Sequence, residues 1–487
     1  MTTHLSTYHD LRAIGIIRSF VAQTGDFFGA DKAEVHQLQI MAEEAAAFII
    51  NSLHPDKEKL FEIDAKVIES GLCFSFHSRG IPVDEQNIPI YDSKHPESSI
   101  EGLPFFLLEN LSDAMQFKNE GNNGWVLIFE KRFRDFKPLK TVASIDKETL
   151  DACAKEKLKL SIAKPADAYE IIKLTYLTYR YSYAKSIFYY RKKLEEAIAS
   201  GKIIAFIAKN SKNEIVVSSA YLRSPSCDSL AESGMLMSKP EYRKNSALLL
   251  VARRQAKFLS DNQGGLCIVY TNLVTTHTRS QRLVSHFGYF PTALKVSVHD
   301  RVEFVGIEAD QKERESLLFA ISVECSLEPI TVFLPASHLD ITKKLLQKLD
   351  NISFSTQESE PAEQISKFKI EKHNAESFAI ITMETLGQDW LEKLRYNLKE
   401  VEHEKIMTTF VNIPTSTMLP VDFEDKMFKL NLFYSGIITK AKNKWELLYT
   451  VLRGQRFDFN SIELSDKKAV ELKEYMYEKF KAIEKKL

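Results

Sequence analysis

The chain has 487 residues, 44% of them hydrophobic and 27% charged, the composition of a folded protein and a length that suits roughly three domains. Its 65 basic and 66 acidic residues nearly cancel, so no global field favours a nucleic acid or an anionic membrane as partner. No apolar run approaches the roughly 20 residues that span a bilayer, Met1–Asp10 is polar rather than leader-like, and the 5 cysteines form no CxxC pair and read as reduced thiols, so a cytoplasmic protein is expected.

Charged, weakly periodic stretches at Arg134–Lys157 and Glu308–Arg314 divide the sequence into blocks 1–135, 155–306 and 307–487. In the first block, apolar residues at helical spacing predict helices over Ile14–Phe27 and Lys32–Leu53. Strand-like runs follow at Leu60–Ala65 and Gly71–His77, then a helix at Pro104–Met115 and extended chain over Asn122–Phe133. The second block predicts a strand at Leu158–Ile162, helices at Ala166–Tyr179 and Arg191–Ala199, and a hairpin of Ile203–Ala208 with Ile215–Leu222 around a polar turn. A strand at Leu230–Ser238 leads into a long amphipathic helix, Ser246–Ser260, and Leu266–Leu273 and Thr278–Phe287 predict a further strand and helix. The third block predicts strands at Thr331–Leu334, Phe368–Lys372, Ala379–Met383, Ile406–Val411, Phe433–Ile438 and Leu447–Leu452. Helices are predicted at His338–Leu349, Leu386–Val401, Pro420–Leu430 and Lys467–Lys485. The fold class is therefore mixed α/β (α+β).

Three stretches of the first block, Glu43–Phe48, Ser78–Asp84 and Gly102–Leu107, resemble the anti-sigma-factor serine kinases of the GHKL ATPase superfamily. The resemblance implies an α/β sandwich and puts Glu44 at the general-base position, with Gly80 and Gly102 in the nucleotide loops. It also puts Phe48 where a magnesium-holding Asn belongs, Ser78 where an Asp meets adenine, and Pro104 where a phosphate-loop glycine would offer an N–H. Asn51, on the same helix face as Glu44, is a displaced candidate ligand. With those substitutions ATP and magnesium are not expected, and the domain is expected to recognise a protein partner.

In the second block, Pro240, Tyr242 and Arg243, together with the spacing of His277–Tyr289 around Gly288, resemble the acyl-CoA-dependent N-acetyltransferases of the GNAT superfamily. The resemblance implies acetyl-CoA as cofactor, held by Leu236, Met237 and Ser238 on the strand and by Arg243, Lys244, Asn245, Ser246, Ala247 and Leu248 at the start of the long helix. His277 and Ser280 complete that set. Backbone N–H groups and the positive end of a helix dipole suit a pyrophosphate, although Lys244, Ser246 and Leu248 replace the family's glycines. Glu232 stands where several such enzymes keep a general base, and Val284 where many keep a proton-donating Tyr, a role left to Tyr289 or water. The tyrosines at 176, 179, 181, 183, 189 and 190 fall where the acceptor pocket is built.

The third block, with no P-x-Y-R-G loop, is expected to be a degenerate GNAT-like domain that packs on the second, and the whole chain resembles bacterial GHKL–GNAT fusions. Two functions follow: transfer of an acetyl group to a small amine or protein lysine, or a non-catalytic regulator that uses the GNAT body as an acyl-CoA sensor or scaffold. No Walker loop, HExxH or GxSxG elbow is present, and the 12 histidines show no metal-ligand spacing, so no metal site is expected.

Overall fold

Alternation of apolar and polar residues makes Phe61–Ile68 a strand with one wet face, Phe61, Ile63 and Ala65 being buried and Glu62 and Lys66 exposed. This is a computed structural model, and it describes residues 2–52, 60–81, 88, 90–97, 99–138, 146–181, 183, 185–299, 314–374 and 376–486. The chain parts into two compact units, 1–144 and 145–487.

The first unit is an antiparallel sheet in the order β1 (Thr2–Thr7), β2 (Phe61–Ile68), β3 (Gly71–Ser78), β5 (Trp125–Arg132), β4 (Ala114–Asn119). Helices α1 (Ile14–Phe27), α2 (Lys32–Ser52) and α3 (Leu103–Leu111) complete it. Ile17 and Val21 of α1 and Leu38, Met41 and Ala45 of α2 share one core with Phe74, Phe76 and Phe129. Gly25 sits where a Cβ would strike the Leu38 side chain, so α1 and α2 approach closely there. The sequence placed a helix as far as Met115, but Ser112 turns extended (ψ 157°) and the next residues pair with β5 instead. β1 lies in a segment read only as polar, because an edge strand needs few apolar residues. Of the loop expected to touch a nucleotide, Pro82, Val83 and Asp84 lie outside the described residues.

The second unit is built on one sheet of 12 strands. Its first seven are β6 (Lys159–Ile162), β7 (Ile203–Lys209), β8 (Ile215–Ser224), β9 (Cys227–Ser238), β10 (Ile268–Val274), β11 (Phe290–His299) and β12 (Glu315–Val323). They are interleaved with α4 (Lys147–Lys155), α5 (Ala168–Tyr179), α6 (Arg191–Ala199), α7 (Ala247–Ser260) and α8 (Arg279–His286). In space they run β6-β7-β8-β9-β10-β12-β11, with β9 and β10 parallel. This is the β-α-α-β-β-β-α-β-α-β order expected of a GNAT fold, closed by one more strand.

That closing strand, β12, corrects the expected division at 306–307. It comes from the third block, yet it inserts between β10 and β11 of the second. The proposed linker residues 308–313 lie outside the described residues, and the other proposed linker contains a helix, α4. Blocks 155–306 and 307–487 fold as one unit rather than two.

The remaining strands are β13 (Ile330–Phe333), β14 (Ile352–Ser355), β15 (Lys367–His373), β16 (Phe378–Thr385), β17 (Thr408–Pro414), β18 (Phe433–Ala441) and β19 (Lys444–Leu452). Helices α9 (Leu339–Leu346), α10 (Trp390–His403), α11 (Phe423–Lys429) and α12 (Lys467–Glu484) accompany them. The order β15-β16-β17-β19-β18 repeats that of β8-β9-β10-β12-β11. The two halves join where Ala293 of β11 pairs with Gly436 of β18, and α12 packs across that seam. Gly436 has φ 114°, and a Cβ there would strike the Thr292 carbonyl and the Ala293 backbone, so only glycine lets the strands meet.

Cys267 and Cys325 are joined in a disulfide, their Cα atoms 5.2 Å apart, which corrects the reading of five reduced thiols. Their separation of 58 residues in sequence vanishes once β10 and β12 pair. Among the described residues no helix is long and apolar enough to cross a membrane.

Candidate functional site

β9 carries one extra residue against β8, since Ser218 to Ala220 face Met237 to Gly234, and Met235 takes φ 59° at that bulge. Its ladder to β10 runs only from Leu230–Ile268 to Glu232–Tyr270. Beyond Glu232 the two parallel strands separate, and a cavity of about 340 Å³ opens between them. Glu232, Ser233, Leu236, Thr271, Asn272, His277, Ser280, Val284 and Tyr289 all line it, with Gln255 of α7 behind.

Glu232 is mostly buried and bonded at 2.7 Å to Lys185 Nζ, with the Tyr270 hydroxyl 3.4 Å from the same oxygen. Burial and the Glu232 charge raise the pKa of Tyr270, so that hydroxyl stays protonated as a donor. Tyr289 is buried on the α7 side, and burial pushes its pKa up to about 12, opposed by hydrogen bonds with Ser233 and Tyr221. Tyr221 in turn donates to the Gln255 carbonyl at 3.0 Å. Tyr289 is therefore a protonated, well-held donor at neutral pH.

Two polar atoms in this wall have no hydrogen-bond partner among the described residues: Nδ1 of His277 and Oγ of Ser280. A buried polar atom without a partner costs roughly 1–3 kcal/mol, and both of these lie in the cavity wall. Their spacing follows from chain geometry, with His277 just before α8 and Ser280 in its first turn.

The start of α7 divides the expected cofactor residues. Arg243, Lys244 and Ser246 are exposed there, with Ser246 at the N-cap position. Asn245 faces inward: its amide donates to the carbonyls of Cys153 and Glu156, and its oxygen accepts the Ala247 N–H at 2.9 Å. Asn245 is thus a staple between α4 and α7 rather than a side-chain ligand, and Tyr242 repeats the device with a 2.6 Å bond to Glu156. Ala247 and Met237 are buried, while Leu248 is half-buried against the core. Ser238 is buried and paired with Val217, so Leu236 is the one residue of 236–238 whose side chain reaches the cavity.

The tyrosines form a cage on the other side of the sheet. Tyr179 stacks on Tyr183 at 4.8 Å, Tyr181 lies 5.4 Å from both Tyr176 and Tyr189, and the Tyr189 hydroxyl donates to the Arg180 carbonyl. Tyr179 and Tyr183 line the cavity, and Tyr176, Tyr181 and Tyr190 are exposed. Lys185, Tyr270 and Asn272 are among the cavity residues that escaped the sequence reading. A lysine or tyrosine in an apolar run gives no signal until strand register shows which face it takes.

The nucleotide positions of the first unit are filled differently. Phe48 packs edge-on against Phe105 at 4.6 Å, with Phe117 and Trp125 completing an aromatic cluster. Gly102 is buried at the start of α3, and Pro104 follows within its first turn. Ser78 Oγ accepts the Gly80 N–H at 3.1 Å, which closes a tight turn. Glu44 has its pKa raised by burial and by Glu43, and Asn51 is exposed. At the position expected to hold magnesium, the side chain is thus an apolar ring packed among others. Among the described residues no group of three or more His, Cys, Asp or Glu is placed to hold a metal ion.

No family model matches the chain. An anti-sigma F factor of Clostridium perfringens is 27% identical over 95 residues, covering 19% of this chain and 67% of its own length. That of Clostridium beijerinckii is 26% identical over 121 residues, covering 24% and 81%. Among solved structures, the ribosomal-protein-S18-alanine N-acetyltransferase from Escherichia coli aligns with 34% of this chain and 94% of its own, at 9% identity and TM-score 0.27. Spermidine N-acetyltransferase from Vibrio cholerae, in complex with CoA and spermine, aligns over 34% and 95%, at 11% identity and TM-score 0.26. The chain is similar to GHKL-type anti-sigma F factors and to GNAT acetyltransferases, each over only a part of its length.

Proposed function

We propose that residues 145–487 form an acyl-CoA-dependent N-acyltransferase and that the first unit is a regulatory, partner-binding domain. The cavity between β9 and β10, with its orphaned His277 Nδ1 and Ser280 Oγ, carries this reading. His277 and Ser280 would hold acetyl-CoA at one end of the cavity. The exposed Arg243, Lys244 and Ser246, with backbone N–H groups at the start of α7 other than that of Ala247, would hold its phosphates. Acetyl-CoA supplies the activated acyl group.

The chain's own groups supply the rest. Glu232 accepts the proton of an incoming amine, which displaces Lys185 Nζ from its 2.7 Å bond with the carboxylate. The Tyr179–Tyr183 pair presents ring faces to the acceptor. Backbone N–H groups of β9 beyond Glu232, outside the ladder to β10, are donors for the carbonyl oxygen. Tyr289, protonated up to about pH 12, keeps a proton ready for the departing thiolate. The acceptor is a small amine or a protein lysine.

In the first unit, likeness to anti-sigma F factors supports recognition of a protein partner, and the aromatic cluster around Phe48 supports binding without ATP turnover. The test is calorimetry of acetyl-CoA with the full-length protein beside Ser246→Asp. Aspartate is a good helix N-cap, so the helix stays formed, while its charge opposes phosphate. Micromolar binding that the variant loses supports the reading; no heat with the unmodified protein at millimolar acetyl-CoA would sink it.

A further inference from the structure

The face of the sheet that carries Glu232 also carries a lysine that the proposed chemistry leaves unused. Strand register puts Glu232 beside Tyr270, Asn272 beside Phe319, and Val274 beside Leu317, which pairs in turn with Lys295 of β11. Paired residues share a face, so Lys295 points to the side of Glu232 and the tyrosine cage. Its Nζ lies 3.4 Å from Asn272 Oδ1 and 5.1 Å from the centre of the Phe319 ring, which stacks on Tyr270. Asn272, Leu317 and Glu232 line the cavity, so the amine stands one side chain from it.

Resting on the acyltransferase reading, we propose that Lys295 is an acyl-acceptor site of the chain itself, modified in cis by the acyl-CoA bound between β9 and β10. The uncharged amine attacks the thioester carbonyl, a C–N bond forms and the C–S bond breaks. The proton shed by nitrogen passes to Glu232, and the thiolate takes a proton and leaves as the free thiol. No other reactant is needed.

The surroundings favour this chemistry. Burial lowers the Lys295 pKa to about 8, and Lys440 and Lys185 push the same way while Glu232 opposes them. Roughly a tenth of the side chain is therefore an uncharged nucleophile at pH 7, far more than of a lysine at its ordinary value. Lys440 comes from β18 of the second half, Lys185 from the segment after α5 and Glu232 from β9; His299 is the other titratable group on this part of β11. Acylation removes the charge of Lys295 and with it its repulsion with Lys440 and Lys185, along with its attraction to Glu232.

The experiment incubates the full-length protein with acetyl-CoA and no acceptor, then maps acetylation by peptide mass spectrometry between pH 6.5 and 9. Expected is one acetyl group at Lys295, formed at least 10-fold faster than at any exposed lysine, with a rate that rises through about pH 8 and levels off. The Lys295→Arg variant should bind acetyl-CoA calorimetrically as the unmodified protein does and gain no acetyl group in the cavity. An independent readout without acetyl-CoA is the NMR titration of the Lys295 Cε resonance, expected to turn near pH 8. Acetyl-CoA that binds while Lys295 stays unmodified, or modification no faster than at exposed lysines, overturns this proposal and leaves the acyltransferase reading standing. Absence of acetyl-CoA binding overturns both.

Discussion

β8 to β12 and β15 to β19 trace the same path, yet the parallel strands of one half separate around a cavity while those of the other stay paired further along. In the first half the parallel ladder stops after three pairs, at Glu232–Tyr270; in the second it runs five, from Phe378–Thr408 to Thr382–Asn412. Equivalent register positions show what was exchanged. Glu232 corresponds to Ile380, Tyr270 to Phe410 and Lys295 to Ile438. The helix start that is exposed at Ser246 is covered in the second half by the chain's own segment before β15. Gly387 N–H donates to Ser366 Oγ at 2.9 Å, Gln388 N–H to the Glu363 carbonyl, and Ser366 N–H to Asp389 at 2.6 Å. The Ser366 N–H and the Lys393 ammonium hold the Asp389 carboxyl down to about 2, a negative charge at the N-cap position that Ser246 takes in the other half. One helix start is thus exposed beside a lysine and the other is covered beside a carboxylate. The lesson is that the sheet pattern preserves the topology, while a few polar positions and one covering segment decide whether a site exists.

The seam between halves is the place to break the comparison hardest. Gly436→Val forces a side chain into the Ala293 backbone at a positive φ. We expect a loss of roughly 3 kcal/mol or more, read as a lower urea midpoint, whereas Gly121→Ala, in open space, should cost much less. A midpoint unmoved by Gly436→Val would mean that the halves are not joined through Ala293 and Gly436.

Next in size is chemistry confined to one half. Glu232→Gln should lower turnover by about 10²–10⁴ with acetyl-CoA affinity unchanged, and Glu384→Gln in the second half should leave turnover alone. Equal losses from both, in steady-state assays on an amine acceptor, would contradict the asymmetry.

The smallest effect sharpens how the second half is locked. His338 is fully buried and bonded to Glu424 at 2.7 Å, Tyr449 at 2.9 Å and Tyr475 at 2.7 Å, in contrast to the orphaned His277. Burial lowers its pKa below the ordinary 6.5, although Glu424 opposes this. The unfolded chain then binds the extra proton first, so this contribution is present above pH 6.5 and fades as pH falls below it. Thermal unfolding should show that slope, and His338→Gln should flatten it; an unchanged slope would remove His338 from the account.

Much of this was legible in the sequence, because local patterns govern most of it. The helix at Arg191–Ala199 lies where its spacing put it, and so do the hairpin of β7 and β8 and the strand-to-helix step from β9 into α7. The turn of that hairpin uses Asn213 at φ 63°, the kind of residue such a position favours. What stayed hidden depends on distant pairing. β12 joins the first half from beyond an apparent linker, Cys267 finds Cys325, and Asn245 turns from the expected ligand set to α4. Of the expected site, Glu232, Tyr289, Leu236, His277 and Ser280 converge on the cavity. Met237, Ala247 and Asn245 are buried as structure, since backbone spacing alone does not say which side a residue faces.

The most direct test of the asymmetry is hydrogen exchange on the full-length protein with and without acetyl-CoA. The account predicts slowed exchange of amides at the start of α7 and along Ser233–Ser238, with none gained at the start of α10 around Gly387–Trp390. Protection at α10, or protection shared equally by the two helix starts, would contradict it.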